Sequence, residues 1–173
     1  FGVLVNGVVK GGDGFRDNSD FRDNDGSLKL RYAINDHETI SGYVSRFTEL
    51  HAEQAGGLTQ AAYEADPKQS LRPGSDFDFA MNRYVVQYGN RIDEDTRFDV
   101  KLWYQEGTRT LNDFRPIVGP FTLTRQQNST FDSGALEASF SWRTTVFGLD
   151  SRFHHSVRYL TEMNDEFYVR API

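Results

Sequence analysis

Hydrophobic and polar residues alternate with a period of two along much of this chain. In the run Phe98 to Gln105, one face of an extended segment carries Phe98, Val100, Leu102 and Tyr104, and the other carries Asp99, Lys101, Trp103 and Gln105. The stretch from Ala135 repeats this, with Leu136, Ala138, Phe140 and Trp142 set against Glu137, Ser139, Ser141 and Arg143. A third run sets Phe153, His155, Val157 and Tyr159 against Arg152, His154, Ser156 and Arg158. Successive side chains of a strand point to opposite sides, so each run reads as a strand with one apolar and one polar face. As helices, the same runs would scatter their apolar residues around the axis. A wall with lipid outside and a polar lumen inside requires this pattern.

The pattern predicts seven strands, at about 2–10, 25–35, 38–50, 79–91, 95–108, 133–146 and 151–163. Three connections are short, as tight hairpin turns are: Asn35-Asp36-His37, Ile92-Asp93-Glu94 and Phe147-Gly148-Leu149-Asp150. The connections between these hairpins are long and polar, at Gly11 to Asn24, His51 to Asp78 and Arg109 to Asp132, with a tail from Asn164. Strict alternation places the short turns at one end and the long loops at the other, as in barrels with short periplasmic turns and long extracellular loops. The predicted fold class is therefore all-β, an antiparallel transmembrane β-barrel. Because the chain opens on Phe1 with residues that already read as strand, it is expected to be an internal part of a longer protein. Two other architectures share many short strands: a small passive or adhesive outer-membrane barrel complete in about this length, and a secreted carbohydrate-binding β-sandwich using Trp103, Tyr104 and Trp142.

Composition narrows the chemistry. With 173 residues and no cysteine, there is length for one domain and no disulfide framework, thiolate metal site or thiol nucleophile. A net charge of −6 argues against a nucleic-acid partner. A mean hydropathy of −0.60 is usual for soluble proteins. A barrel reaches the same value, since only alternate strand residues face lipid and polar loops dilute them. Aromatic residues make up 14% of the chain, as interfacial girdles require.

The first long loop carries Asp13, Asp17, Asp20, Asp23 and Asp25 among glycines and asparagines. Hard cations want several oxygen ligands, but the EF-hand order and its closing glutamate are missing, and Arg16 and Arg22 sit among the acids, so the loop reads as a solvated turn. His154 and His155 are adjacent on a strand and face opposite sides. With His37 in a turn and His51 at a loop start, the histidines form no zinc or non-haem iron ligand set. No nucleophile elbow, P-loop or dinucleotide fingerprint is present. Paired loop carboxylates suit glycoside hydrolysis only at a separation that sequence does not give. The sequon Asn128-Ser129-Thr130 has no consequence in a bacterial outer membrane.

In the second long loop, Thr59 is placed to cap a short helix through about Ala65, ended by Pro67. Around it lie Gly56-Gly57-Leu58-Thr59, Tyr63-Glu64-Ala65-Asp66 and Gln69-Ser70-Leu71-Arg72-Pro73. These motifs resemble an extracellular loop of TonB-dependent outer-membrane receptors, most closely the ferric dicitrate receptor group. The run from Trp103 to Thr110 is similar to the strand and loop start that carries a ligand-binding arginine in that group, here Arg109. Thr122-Leu123-Thr124-Arg125 resembles the stretch with a second such arginine, with one residue inserted. The resemblance implies a receptor of the Gram-negative outer membrane that is no enzyme. It implies a barrel of about twenty-two strands plugged by an amino-terminal domain, and residues 1–173 as part of the barrel domain. It also implies uptake of ferric citrate or a ferric siderophore, energised by the TonB complex through a plug and TonB box that lie outside this sequence. The partners are then the ferric chelate, TonB and outer-membrane lipid.

Ferric citrate and siderophore complexes are anionic, with oxygens on their surface. A guanidinium stays charged and offers a planar fork for carboxylates, which makes Arg109, Arg125, Arg72 and Arg115 the candidate ligand-binding residues. Gln126 and Gln127 are neighbouring neutral donors, and Trp103 or Phe114 a hydrophobic wall. The chelator already fills the iron's coordination sphere, so no protein metal ligand and no resident cofactor is expected.

Overall fold

The computed structural model describes residues 1–116 and 122–172, with side chains excepted at 114–116, 122–124 and 170–172. Seven strands follow one another: β1 Gly2–Gly12, β2 Phe21–Ala33, β3 Glu38–Leu50, β4 Asp76–Arg91, β5 Arg97–Pro116, β6 Thr122–Val146 and β7 Leu149–Pro172, with one helix, α1 Gln60–Ala65, between β3 and β4. They form a single sheet in sequential order, each strand antiparallel to its neighbour.

Register carries the alternation of each strand across the sheet. Phe98, Val100 and Leu102 of β5 lie opposite Phe140, Ala138 and Leu136 of β6, which lie opposite His155, Val157 and Tyr159 of β7. One continuous apolar face results, because a dyad period leaves every paired residue on the same side. Aromatic rings mark its two margins: Tyr84 stacks with Tyr104 at 6.4 Å, and Trp142 stacks with Phe153 at 5.3 Å and His155 at 5.1 Å. Nothing packs on this face among the described residues; Leu102 is 55% and Val157 73% exposed.

The accessible surface of 12045 Å² compares with roughly 8,600 Å² for a compact soluble chain of this mass. Ala55 and Ala135 are the buried hydrophobic residues among those described. A sandwich would bury one face of each of two sheets; among the described residues no second sheet covers either face, which sets aside the carbohydrate-binding β-sandwich. Nor do these strands close into a small barrel, since β1 and β7 are the two edges of the sheet.

The short connections are built by local chemistry. In the β2–β3 turn, Asn35 Oδ1 accepts from the backbone N–H groups of His37 and Glu38 at 2.8 and 2.9 Å. In the β4–β5 turn, Asp93 Oδ1 does the same for Asp95 and Thr96 at 2.8 and 2.7 Å. The Asp95 amide, followed by the Thr96 side chain and then its amide, holds the Asp93 carboxyl below its ordinary range. The β6–β7 turn has two residues, Phe147 and Gly148, with φ of 51° and 80°, the type I′ geometry that matches the twist of the flanking strands.

At the other end the strands run further than the apolar pattern predicts. The expected loop Arg109 to Asp132 is mostly strand, since β5 continues to Pro116 and β6 begins at Thr122, paired throughout from Thr108↔Thr130 to Pro116↔Thr122. The expected tail from Asn164 is the end of β7, which pairs with β6 as far as Pro172↔Leu123. Likewise β2 starts at Phe21 and β4 at Asp76. Beyond the Tyr84–Tyr104 row both faces carry polar residues, so the alternation fades although the hydrogen-bond ladder continues.

Candidate functional site

Odd-numbered residues of β2 through β6 and even-numbered residues of β7 share the polar face. At its long-connection end, one row across the sheet is Asp25, Phe47, Met81, Gly107, Phe131 and Asn164, and the next is Asp23, Glu49, Phe79, Arg109, Ser129 and Glu166. Phe79 lies 5.9 Å from Phe47, 6.2 Å from Phe77 and 5.7 Å from Phe131, measured between ring centroids. In the same row as Phe79, Arg109 donates from Nη2 to Ser129 Oγ at 3.3 Å and to Glu166 Oε1 at 3.4 Å. A cavity of about 370 Å³ opens between Phe79, Phe131, Gln105, Arg109 and Glu166.

One row further out stands Tyr168, and Arg125 from the row beyond it lies over the Tyr168 ring, 4.6 Å from its centroid, a cation–π contact. The Tyr168 hydroxyl donates to Glu166. That carboxylate acceptor, followed by partial burial, pushes the phenol up, with Arg125 opposing. On the neighbouring strands, burial and then the charge of Asp23 push the Glu49 carboxyl up.

The two long loops are clasped together. Arg16 of the first loop inserts into carbonyls of the second, donating from Nε to Gln69 O at 3.1 Å, from Nη2 to Ala55 O and Gln69 O at 3.1 and 2.7 Å, and from Nη1 to Gly56 O. Asn18, in the left-handed conformation at φ 56°, donates to Arg72 O and Ser75 O and accepts from Gly74 N–H. Two side chains thus satisfy backbone groups that a loop would otherwise leave to water. Within the second loop Thr59 caps α1 by accepting from Ala62 N–H at 3.2 Å. The clasped loop presents Arg72 to Asp113 of β5, with Nη1 3.6 Å from Oδ1.

Arg72, Arg109 and Arg125 therefore meet at one end of one face. Arg109 and Arg125 stand on strands instead of a loop, so parity decides where their neighbours point. Gln126 departs from the cluster: it pairs with Asn112 and Val169 on the opposite face, and Gln127 takes the side that Arg125 occupies. The side chains of Arg115 and Phe114 lie outside the described residues. Trp103 shares the polar face further down, where its Nε1 donates to Glu137 at 2.9 Å beside Lys101 and Arg158. Glu166, Tyr168 and Arg16 were not among the predicted site residues. For the first two, the continuing dyad beyond Asn164 was the available signal; Arg16 had none, because its partners lie 39 to 53 residues away. Among the described residues, no group of three or more histidines or acids is placed to hold a metal ion.

No family model matches the chain. Among solved structures it is similar to the ferric citrate transporter FecA in its unliganded form, with a TM-score of 0.88 and 21% identity over 98% of this chain. The chain spans 25% of the length of that transporter. At this identity the likeness defines the fold: the seven strands form a section of an antiparallel β-barrel wall.

Proposed function

We propose that this chain is part of the barrel domain of a TonB-dependent transporter in the outer membrane of a Gram-negative bacterium, taking up a ferric chelate such as ferric citrate or a siderophore complex. The observation that carries the proposal is the gathering of Arg72, Arg109 and Arg125 at the long-connection end of the polar face, on a wall with the fold of a ferric citrate transporter. In this reading the apolar face meets lipid, the short turns are periplasmic, and the arginines stand at the extracellular mouth of the lumen. The plug, the remaining strands and the TonB contact belong to the rest of the protein.

Burial decides which arginine exchanges partners on ligand binding. Arg109 and Glu166 keep 40% and 33% of their side-chain surface exposed. Pairs this accessible contribute on the order of 0–1 kcal/mol. A chelate presenting two carboxylate oxygens to the guanidinium fork outcompetes such a pair. Asp113 is 6% exposed, so its pairing with Arg72 fixes the clasped loop to β5. Arg109 is thus the first contact for an anionic chelate, and Arg125, held over Tyr168, the second. The test is uptake of radiolabelled ferric citrate by cells expressing the full-length receptor, with and without TonB. TonB-dependent uptake that falls in Arg109→Ala supports the assignment. TonB-dependent uptake confined to another siderophore removes citrate, and no uptake of any chelate overturns the transporter reading.

A further inference from the structure

Four phenylalanines gathered on a polar face are not needed to bind an aliphatic anion such as ferric citrate. Phe79 of β4 and Phe131 of β6 lie on strands separated by β5, about 9.5 Å apart in backbone spacing, yet their ring centroids are 5.7 Å apart and their planes differ by 16°. Phe131 reaches across toward Phe79 because its register partner on β5 is Gly107: a Cβ there would lie 2.3 Å from Phe131 Cζ and 2.6 Å from the Ala80 carbonyl oxygen. The Phe131 ring lies over the bare backbone of β5 at Gly107. With Phe47 and Phe77 against Phe79, these rings make a half-buried aromatic shelf. The shelf borders the 370 Å³ cavity, and the Arg109 guanidinium stands at the same cavity's edge. That volume falls within the usual range for small-molecule sites, which pair apolar walls with a few placed polar groups.

The geometry points to a ligand that combines anionic oxygens with a flat aromatic group: an aryl-bearing ferric chelate whose ring stacks on Phe79 and Phe131 while its oxygens engage Arg109. This rests on the chelate-uptake reading above and narrows its substrate class. Offset stacking on a preformed ring pair adds to area burial for an aryl ligand and gives nothing to citrate.

The test uses the full-length receptor in detergent, titrated separately with ferric tris-catecholate and with ferric citrate. Wild type is expected to bind the aryl complex more tightly. Phe131→Leu and Phe79→Leu keep apolar volume without a ring. Each is expected to weaken catecholate binding roughly two- to tenfold and ferric citrate binding by a smaller factor, with an unchanged far-ultraviolet circular dichroism spectrum reporting that the variant is folded. Arg109→Ala is expected to weaken both. Arg109→Ala weakening the complexes while neither leucine variant discriminates between them would overturn the aryl assignment and leave the arginine site standing. Indifference of both complexes to Arg109→Ala, or no binding of either, would overturn the site and this inference with it.

Discussion

Gly107→Ala isolates the feature on which the aromatic shelf depends. The added methyl would sit 2.3 and 2.8 Å from Cζ and Cε1 of Phe131 and 2.6 Å from the carbonyl oxygen of Ala80. The ring can rotate away, but the carbonyl belongs to the β4 ladder and moves only with its strand. Overpacking of this kind costs roughly 1–3 kcal/mol, against about 0.5–1 kcal/mol recovered by restricting the unfolded chain. A net loss of up to about 2.5 kcal/mol, centred on about 1 kcal/mol, is expected. Gly42→Ala is the matched control, since a Cβ there meets nothing within 4 Å; it is expected to stabilise by up to about 1 kcal/mol. Guanidinium unfolding of the full-length receptor, followed by tryptophan fluorescence, reads both from their midpoints at unchanged slope. Adding Phe131→Leu to Gly107→Ala should restore only part of the loss, because the contact with the Ala80 carbonyl remains. Equal midpoints for Gly107→Ala and Gly42→Ala would refute the close approach of Phe131 to β5.

Three further outcomes follow from local geometry. Phe147→Asn should stabilise the barrel by about 1 kcal/mol, because Phe147 holds φ 51° with its side chain fully exposed, and asparagine tolerates that conformation; the same unfolding assay reads it. Arg16→Ala should speed hydrogen exchange in residues 55–72, whose carbonyls at Ala55, Gly56 and Gln69 lose their donors, while the amides of β5 stay protected. The lowered Asp93 carboxyl contributes turn stability that is complete above the ordinary carboxylate pKa of about 4 and is lost as pH falls through its depressed value. The Thr96 amide shift should therefore move with acidification, and Asp93→Asn, which keeps an oxygen acceptor as Asn35 does, should abolish that movement.

Much of the wall was legible because lipid-type alternation is a strong signal wherever one face is wholly apolar. Phe98 to Tyr104, Leu136 to Trp142 and Phe153 to Tyr159 all lie on the face assigned to them. The signal stops where the apolar face stops. Thr108, Thr110 and Asn112 on one side and Arg109, Leu111 and Asp113 on the other give no contrast, so twenty residues of β5 read as strand and then loop although the ladder is continuous. That same misreading misplaced Gln126, since a loop imposes no parity and a strand does. The Thr59 cap was legible because it is local. The clasp by Arg16 and Asn18 was not, since it joins loops that are distant in sequence and adjacent only once β2, β3 and β4 have paired. The shelf lay between these cases: phenylalanines at odd positions of β3, β4 and β6 break the polar pattern, and register alone brings them together.

The proposal that this sheet is a membrane wall is tested most directly by single-cysteine substitution through residues 98–105 of the full-length receptor, a stretch of a chain with no cysteine of its own. Each spin-labelled position is measured for collision with oxygen, which partitions into lipid, and with a water-soluble nickel chelate. Labels at 98, 100, 102 and 104 should favour oxygen, and labels at 99, 101, 103 and 105 should not, with a strict period of two. Uniform access to the nickel chelate, or a period near 3.6, would contradict the lipid-facing barrel and the transporter reading built on it.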